Sequence, residues 1–226
     1  MSGGIHVYPI APDLTQEAMR CLSRCFLENY PPGDAVHITR EEREKYTQIQ
    51  APCFTSGVSL LAIDSENRVC GVALIADATS TLDQAAVAEL NSVGFGILDE
   101  VCSECQQIYL GTLKHCSEIG SPIPGGKVAE ILNLGVLPTH RGRRIAAKLI
   151  EEAEQRLALL GYRRLYSTTV TNFSYRRRCA VDYLDWRPTA HPLAPLPDGS
   201  SAPPPFREIA LTTPHKEAVL MEKILR

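Results

Sequence analysis

Long apolar runs are missing from this sequence. None approaches the roughly 20 residues that a membrane-spanning helix needs. A positive balance of charge is missing too. The 23 Lys and Arg stand against 26 Asp and Glu, which argues against the broad cationic surface that nucleic-acid binding rests on. The N-terminus, MSGGIHVYPIAPDLT, lacks the basic-then-apolar order of a signal peptide. The six histidines, at 6, 37, 115, 140, 191 and 215, contain no pair four residues apart. Eight cysteines supply one CxxC, Cys102 to Cys105, and no second pair of that spacing to complete a zinc site. No P-loop ending Gly-Lys-Ser/Thr occurs, and no glycine triplet of the dinucleotide-binding kind. What remains is a chain with reduced thiols, expected in the cytoplasm as a single domain over residues 1–226. No metal, nucleic acid or membrane is expected as a partner.

The apolar pattern that is present predicts an α/β (α+β) protein. Ile5 to Ile10 alternates as a strand, and a helix opens at Pro12 and Asp13. Thr39 and Glu42 have capping-box spacing at the start of another helix. Val58–Ile63 and Val69–Ile75, joined by the polar Asp64–Arg68, read as an antiparallel hairpin. Residues 82 to 118 read as helical, broken at Gly94 and Gly96. Val128–Leu137, a helix from Gly142 to Leu160 stopped by Gly161, and Arg164–Val170 form a βαβ unit with parallel strands. A short helix is expected over Asn172 to Asp182. Pro188, Pro192, Pro195, Pro197 and Pro203 to Pro205 make 188–205 a long irregular loop. Strands are expected at Arg207–Leu211 and Ala218–Leu225.

The most informative stretch is LGVLPTHRGRRIAAKLIEEAEQRL, Leu134 to Leu157. A strand stops at Pro138, a basic turn follows, and a helix begins at once. Such a turn aims unpaired backbone N–H groups at one point, and the helix dipole adds partial positive charge. With Arg141, Arg143 and Arg144 beside it, the turn suits a phosphate or pyrophosphate.

These residues resemble the pyrophosphate-binding motif of the GNAT superfamily of N-acetyltransferases, whose pattern is Gln/Arg-x-x-Gly-x-Gly/Ala. Arg141 fills its first position and Ala146 its last, while Arg144 stands where the family places its middle Gly. Thr169-x-x-Asn172-x-Ser174 followed by Tyr183-Leu-Asp-Trp186 is similar to the family's second motif. His215-Lys216 and Leu220 to Leu225 resemble the last strand of the arylalkylamine N-acetyltransferase branch. The order of elements matches from Ile5 to Arg226.

The resemblance implies the GNAT fold: a twisted mixed sheet of six to seven strands, flanked by helices, with strands 4 and 5 splayed. It implies acetyl-CoA as cosubstrate and a small primary amine as acceptor, whether arylalkylamine, agmatine or polyamine, in a monomer or homodimer. The backbone of Leu134, Gly135 and Val136 would pair with the pantetheine arm. Arg141, Gly142, Arg143, Arg144, Ile145 and Ala146 would hold the pyrophosphate, with Asn172 and Ser174 also at the cofactor. The arginines 176 to 178 are candidates for its 3′-phosphate.

An amine must lose a proton to attack a thioester, so a carboxylate base is sought. Glu130 matches the base of histone-acetylating members, and Glu28 lies near the catalytic Glu of the arylalkylamine branch. Ser174 and Tyr183 are candidates near the sulfur, because Val181 occupies the place of the family's usual acid, a Tyr. Trp186, Tyr183 and Phe206 are expected to wall the acceptor site, with Asp34 or Glu28 drawing the amine's charge. The rival expectation is a non-catalytic acyl-CoA-binding or sensor domain, fed by the departures at Arg144, Val170, Val181 and Asp185.

Overall fold

The computed structural model describes residues 4–27, 30–78, 90, 93–118, 127–169 and 176–226. Its strands are β1 (His6–Pro9), β2 (Leu60–Ile63), β3 (Val69–Asp77), β4 (Lys127–Val136), β5 (Tyr162–Thr169), β6 (Arg176–Asp182) and β7 (Glu217–Ile224). Its α-helices are α1 (Thr15–Leu27), α2 (Pro31–Ala35), α3 (Arg40–Ile49), α4 (Ala51–Phe54), α5 (Val93–Glu118), α6 (Ile145–Leu159) and α7 (Arg207–Thr212). The strands form one mixed sheet in the order β1-β2-β3-β4-β5-β7-β6, in which only β4 and β5 pair in parallel. No described helix is long and apolar enough to cross a membrane.

The central strands are apolar on both faces because helices cover both. Leu61, Val72 and Leu74 meet Ala18, Cys21, Leu22 and Cys25 of α1, which recur at helical spacing. Leu60, Ala73 and Ile75 on the opposite face meet Ile145, Leu149, Ala153 and Leu157 of α6. The β2–β3 hairpin and the parallel β4–β5 pair appear as the pattern predicts. So does the capping box: Thr39 N–H donates to Glu42 Oε2 (2.8 Å), and Glu42 N–H donates to Thr39 Oγ1 (3.3 Å). Among the described cysteines, Cys102 and Cys105 included, none is in a disulfide.

Three expectations are corrected. The segment expected as a helix through Asp182 is strand from Arg176 onward. It pairs antiparallel with β7, with a register shift between Arg177 and Cys179. Cys179, Val181 and Tyr183 turn toward α5 at period two, so the open edge of β7 overrides local helical preference. The segment Arg207–Leu211 is helix, not strand. Phe206, Ile209 and Ala210 are buried together at helical spacing, a period the sequence carried in only one turn.

The third correction concerns Gly94 and Gly96, which lie within the first turn of α5, while residues 82–89 of the expected helical stretch lie outside the described residues. The two glycines let that turn sit tight against neighbours. A Cβ on Gly94 would lie 2.2 Å from the Val36 carbonyl oxygen, and one on Gly96 would lie 2.6 Å from the His191 ring. His191 belongs to the proline-rich loop, whose start is strapped to the same helix. Glu100 accepts from the N–H groups of Thr189, Ala190 and His191 and from Thr189 Oγ1.

Candidate active site

The sheet opens between β4 and β5. Their backbone pairing runs from Lys127↔Tyr162 to Glu130↔Tyr166. Beyond it, Ser167 Oγ donates to the Ile131 carbonyl (3.0 Å), a side chain taking the place of the next ladder bond. From there β4 continues along β3, with Leu134, Gly135 and Val136 opposite Ala73, Val72 and Gly71. β5 continues along β7. The β5-facing edge of β4 therefore runs on with no strand against it among the described residues. Such an edge offers alternating donors and acceptors to an extended ligand.

At the far end of β4 the chain makes a 3₁₀ turn, Pro138–His140, then Arg141, Gly142, Arg143 and Arg144, all exposed, before α6. Gly142 has φ 77°, and nothing lies within 4 Å of where its Cβ would be. No side chain caps α6. A 15-residue helix thus begins, at Ile145 and Ala146, with N–H groups that no side chain caps, beside three exposed arginines. That arrangement fits a pyrophosphate. The turn is tied down behind by His140, a buried side chain whose Nε2 lies 3.1 Å from Asp64 Oδ2 and whose Nδ1 lies 2.9 Å from Thr139 Oγ1.

Arg144, the residue just before this helix, has a backbone in the left-handed region, φ 58° and ψ 23°. This explains why a Gly suits the position and what the arginine costs. A left-handed backbone penalises a side chain by about 1–2 kcal/mol, partly offset by the flexibility a Gly has when unfolded. Arg144→Gly should therefore raise stability by about 0.5–1 kcal/mol, read as a higher urea midpoint at constant slope.

Where the strands part, a cavity of about 130 Å³ lies on the helix α5 side of the sheet. Glu130, Leu132 and Asn133 of β4 and Thr168 of β5 line it from below. Leu98, Asp99, Cys102 and Gln106 line it from α5, and Phe95 closes it with Tyr30, Tyr46 and Arg43. Asp99 is exposed, at its mouth. Glu130 is buried and held on both oxygens. Gln106 Nε2 donates to Oε1 (2.7 Å) and the Tyr166 hydroxyl donates to Oε2 (3.0 Å). Burial pushes its carboxyl up to about 7, and the bonds from Tyr166 and Gln106 restrain that rise. A carboxylate that changes charge near neutral pH, at the floor of a cavity opening on a strand gap, is equipped to take a proton from an amine.

The other expected residues are placed differently. Glu28, Asn172 and Ser174 lie outside the described residues. Tyr183 does not line the cavity. It is buried with Phe206 (ring centroids 5.0 Å) and Trp186 in the core beneath α5. The aromatic rings that line the cavity are Tyr30, Tyr46 and Phe95. Asp34 is ion-paired to Arg43 (2.6 Å), so its charge is already answered. Arg177 and Arg178 are engaged by Glu217 and Glu222. Sequence reasoning missed Gln106, Tyr166 and Asp99. The spacing of Leu98, Cys102 and Gln106, four residues apart, was the available sign that one face of α5 turns to the site.

A mixed sheet that parts between its parallel strands, ending in an uncapped cationic helix start, is the GNAT fold. The chain belongs to the acetyltransferase (GNAT) family, whose model matches residues 16–179. No curated protein is similar enough in sequence to count as a relative. Solved structures share the fold across the whole chain. One is arylalkylamine N-acetyltransferase 2 from Aedes aegypti, with a TM-score of 0.69 and 20% identity, covering 99% of this chain and 100% of that one. Another is the Drosophila melanogaster polyamine N-acetyltransferase that forms N-acetylagmatine. Its TM-score is 0.66 at 18% identity, covering 98% and 100%.

Proposed function

We propose that this chain, acting as one domain over residues 1–226, acetylates a small primary amine with acetyl-CoA. The observation that carries the reading is Glu130, a buried carboxylate with its charge change near neutrality, at the floor of a cavity that meets the strand gap. Acetyl-CoA supplies the activated acetyl thioester. The free edge at Leu134, Gly135 and Val136 binds its arm, and the turn from Arg141 to Ala146 binds its pyrophosphate. Glu130 takes a proton from the amine so that nitrogen can attack, with Gln106 and Tyr166 fixing the carboxylate. The aromatic walls Tyr30, Tyr46 and Phe95 favour an acceptor with an apolar or flat tail, and Asp99 at the mouth favours a cation. Arylalkylamines, agmatine and polyamines all have these properties, and solved proteins of this fold are named for such acceptors.

The test is thiol release from acetyl-CoA against a panel of those amines. Turnover on any of them supports the reading. Tight CoA binding with no turnover on all of them replaces it with a non-catalytic acyl-CoA-binding role.

The pyrophosphate assignment has its own test. Gly142→Asp sets a carboxylate on a left-handed backbone in the middle of the turn. Two like charges about 4 Å apart repel by about 1–4 kcal/mol between aqueous and surface-protein dielectrics. CoA affinity by calorimetry should fall about tenfold or more, with the fold kept because the position is exposed. Unchanged affinity in a folded variant would remove the turn from the cofactor site.

A further inference from the structure

Among the described residues, three buried side-chain polar atoms have no hydrogen-bond partner: Gln50 Nε2, Arg164 Nε and Thr168 Oγ1. Of these residues, only Thr168 lines the cavity of Glu130. A buried hydroxyl without a partner is unfavourable, and native structures retain few of them without a reason. The position supplies one. Along β5 the side chains alternate, so Thr168 follows Tyr166 on the same face, two residues further into the gap. Tyr166 donates to Glu130 at the last paired position. Thr168 is therefore the first hydroxyl on that face past the point where β4 and β5 separate. It stands across from Leu132 and Asn133, where an arm lying in the gap brings its reacting end to the base.

We propose that Thr168 is a catalytic residue whose hydroxyl donates a hydrogen bond to the sulfur of the acyl donor. This rests on the acetyl-transfer reading of the same cavity. In the step, nitrogen bonds to the carbonyl carbon and the C–S bond breaks, the sulfur keeping the electron pair. Glu130 takes the proton from nitrogen and passes it to solvent. Thr168 keeps its own proton and steadies the negative charge gathering on sulfur, which solvent protonates after release. A donor held in place by its strand needs little reorganisation when that charge appears. The absence of a Tyr at position 181 leaves this donor without a rival from that position.

The experiment compares Thr168→Val and Thr168→Ser with the wild type. Thr168→Val keeps the shape and removes the donor. Its kcat should fall on the order of tenfold, with KM for the amine within about twofold. Its preference for CoA over desulfo-CoA, measured by calorimetry without any turnover, should vanish. Its Tm should rise by about 2–4 °C, because an unpartnered buried hydroxyl has gone. Thr168→Ser should keep most of the rate and the preference. Wild-type kcat with an intact preference in Thr168→Val overturns the proposal. So does a rate loss that comes with a lower Tm and is not restored by Ser, since that marks a packing role. A wild type without turnover defeats the acetyl-transfer reading, while the binding comparison still decides whether Thr168 meets the sulfur.

Discussion

Glu130→Gln should lower kcat on the order of 10²-fold and remove the break near pH 7 from the pH–rate profile. The substitution keeps the shape of the side chain and removes its ability to accept a proton. In the wild type the base works only when ionised. Its carboxyl is pushed up to about 7 by burial, so kcat/KM should climb about tenfold per pH unit below that value and level off above it. An amide in its place does not ionise, so the variant's residual rate should follow only the amine's own deprotonation. Tyr166→Phe provides the companion measurement. It removes a hydrogen bond that favours the ionised carboxylate, so the midpoint should move to higher pH while most of the maximum rate survives. A Glu130→Gln enzyme with wild-type rates between pH 6 and 9 would take the role from this residue.

That site was half legible in the sequence. Glu130 could be named as a candidate because its strand resembles strand 4 of histone-acetylating family members, on the same chain segment as the Arg141 turn. The side chains that hold its carboxylate could not. Gln106 sits 24 residues away on α5, and Tyr166 reaches Glu130 only through the register of a parallel pair. Register between strands joined by a helix is set by packing, not by a turn whose residues can be read. The hairpin, the βαβ unit and the α3 cap were legible because each is held by residues close in sequence. The strand Arg176–Asp182 was not, because its conformation is decided by the edge of β7, some 40 residues later. Phe206, Trp186 and Tyr183 look like a ligand wall in sequence for a similar reason. Aromatic residues around a proline-rich loop serve a pocket or a core equally well, and α7 and α5 decide it.

Glu222 was also silent in the sequence, and it carries the largest expected effect on stability. Its carboxylate is buried on β7 between two guanidiniums. Arg164 Nη1 donates to Oε1 (2.6 Å) and Arg178 Nε to Oε2 (2.5 Å), while the Tyr109 hydroxyl donates to Oε1 (2.5 Å). Burial alone would raise its carboxyl, but the hydrogen bonds from Tyr109, Arg164 and Arg178 outweigh it and hold the group below its ordinary value of 4.5. The network joins β5, β6 and β7 to α5, the helix whose Gln106 reaches Glu130 one turn before Tyr109.

Glu222→Gln leaves a largely buried Arg164 and a partly exposed Arg178 facing a neutral amide. Breaking a buried pair in this way typically costs about 3–5 kcal/mol, against about 1 kcal/mol for the single neutral bond lost in Tyr109→Phe. The depressed pKa fixes the pH dependence. Stability from this group is fully present above pH 4.5 and is lost as pH falls through the lower folded value. Urea unfolding at pH 7 should therefore separate Glu222→Gln from the wild type by several kcal/mol, and the gap should narrow as the medium is acidified below about pH 4. A gap under 1 kcal/mol at pH 7, or one that widens in acid, would mean that the two arginines find other partners and that α5 is held to the sheet by apolar packing alone.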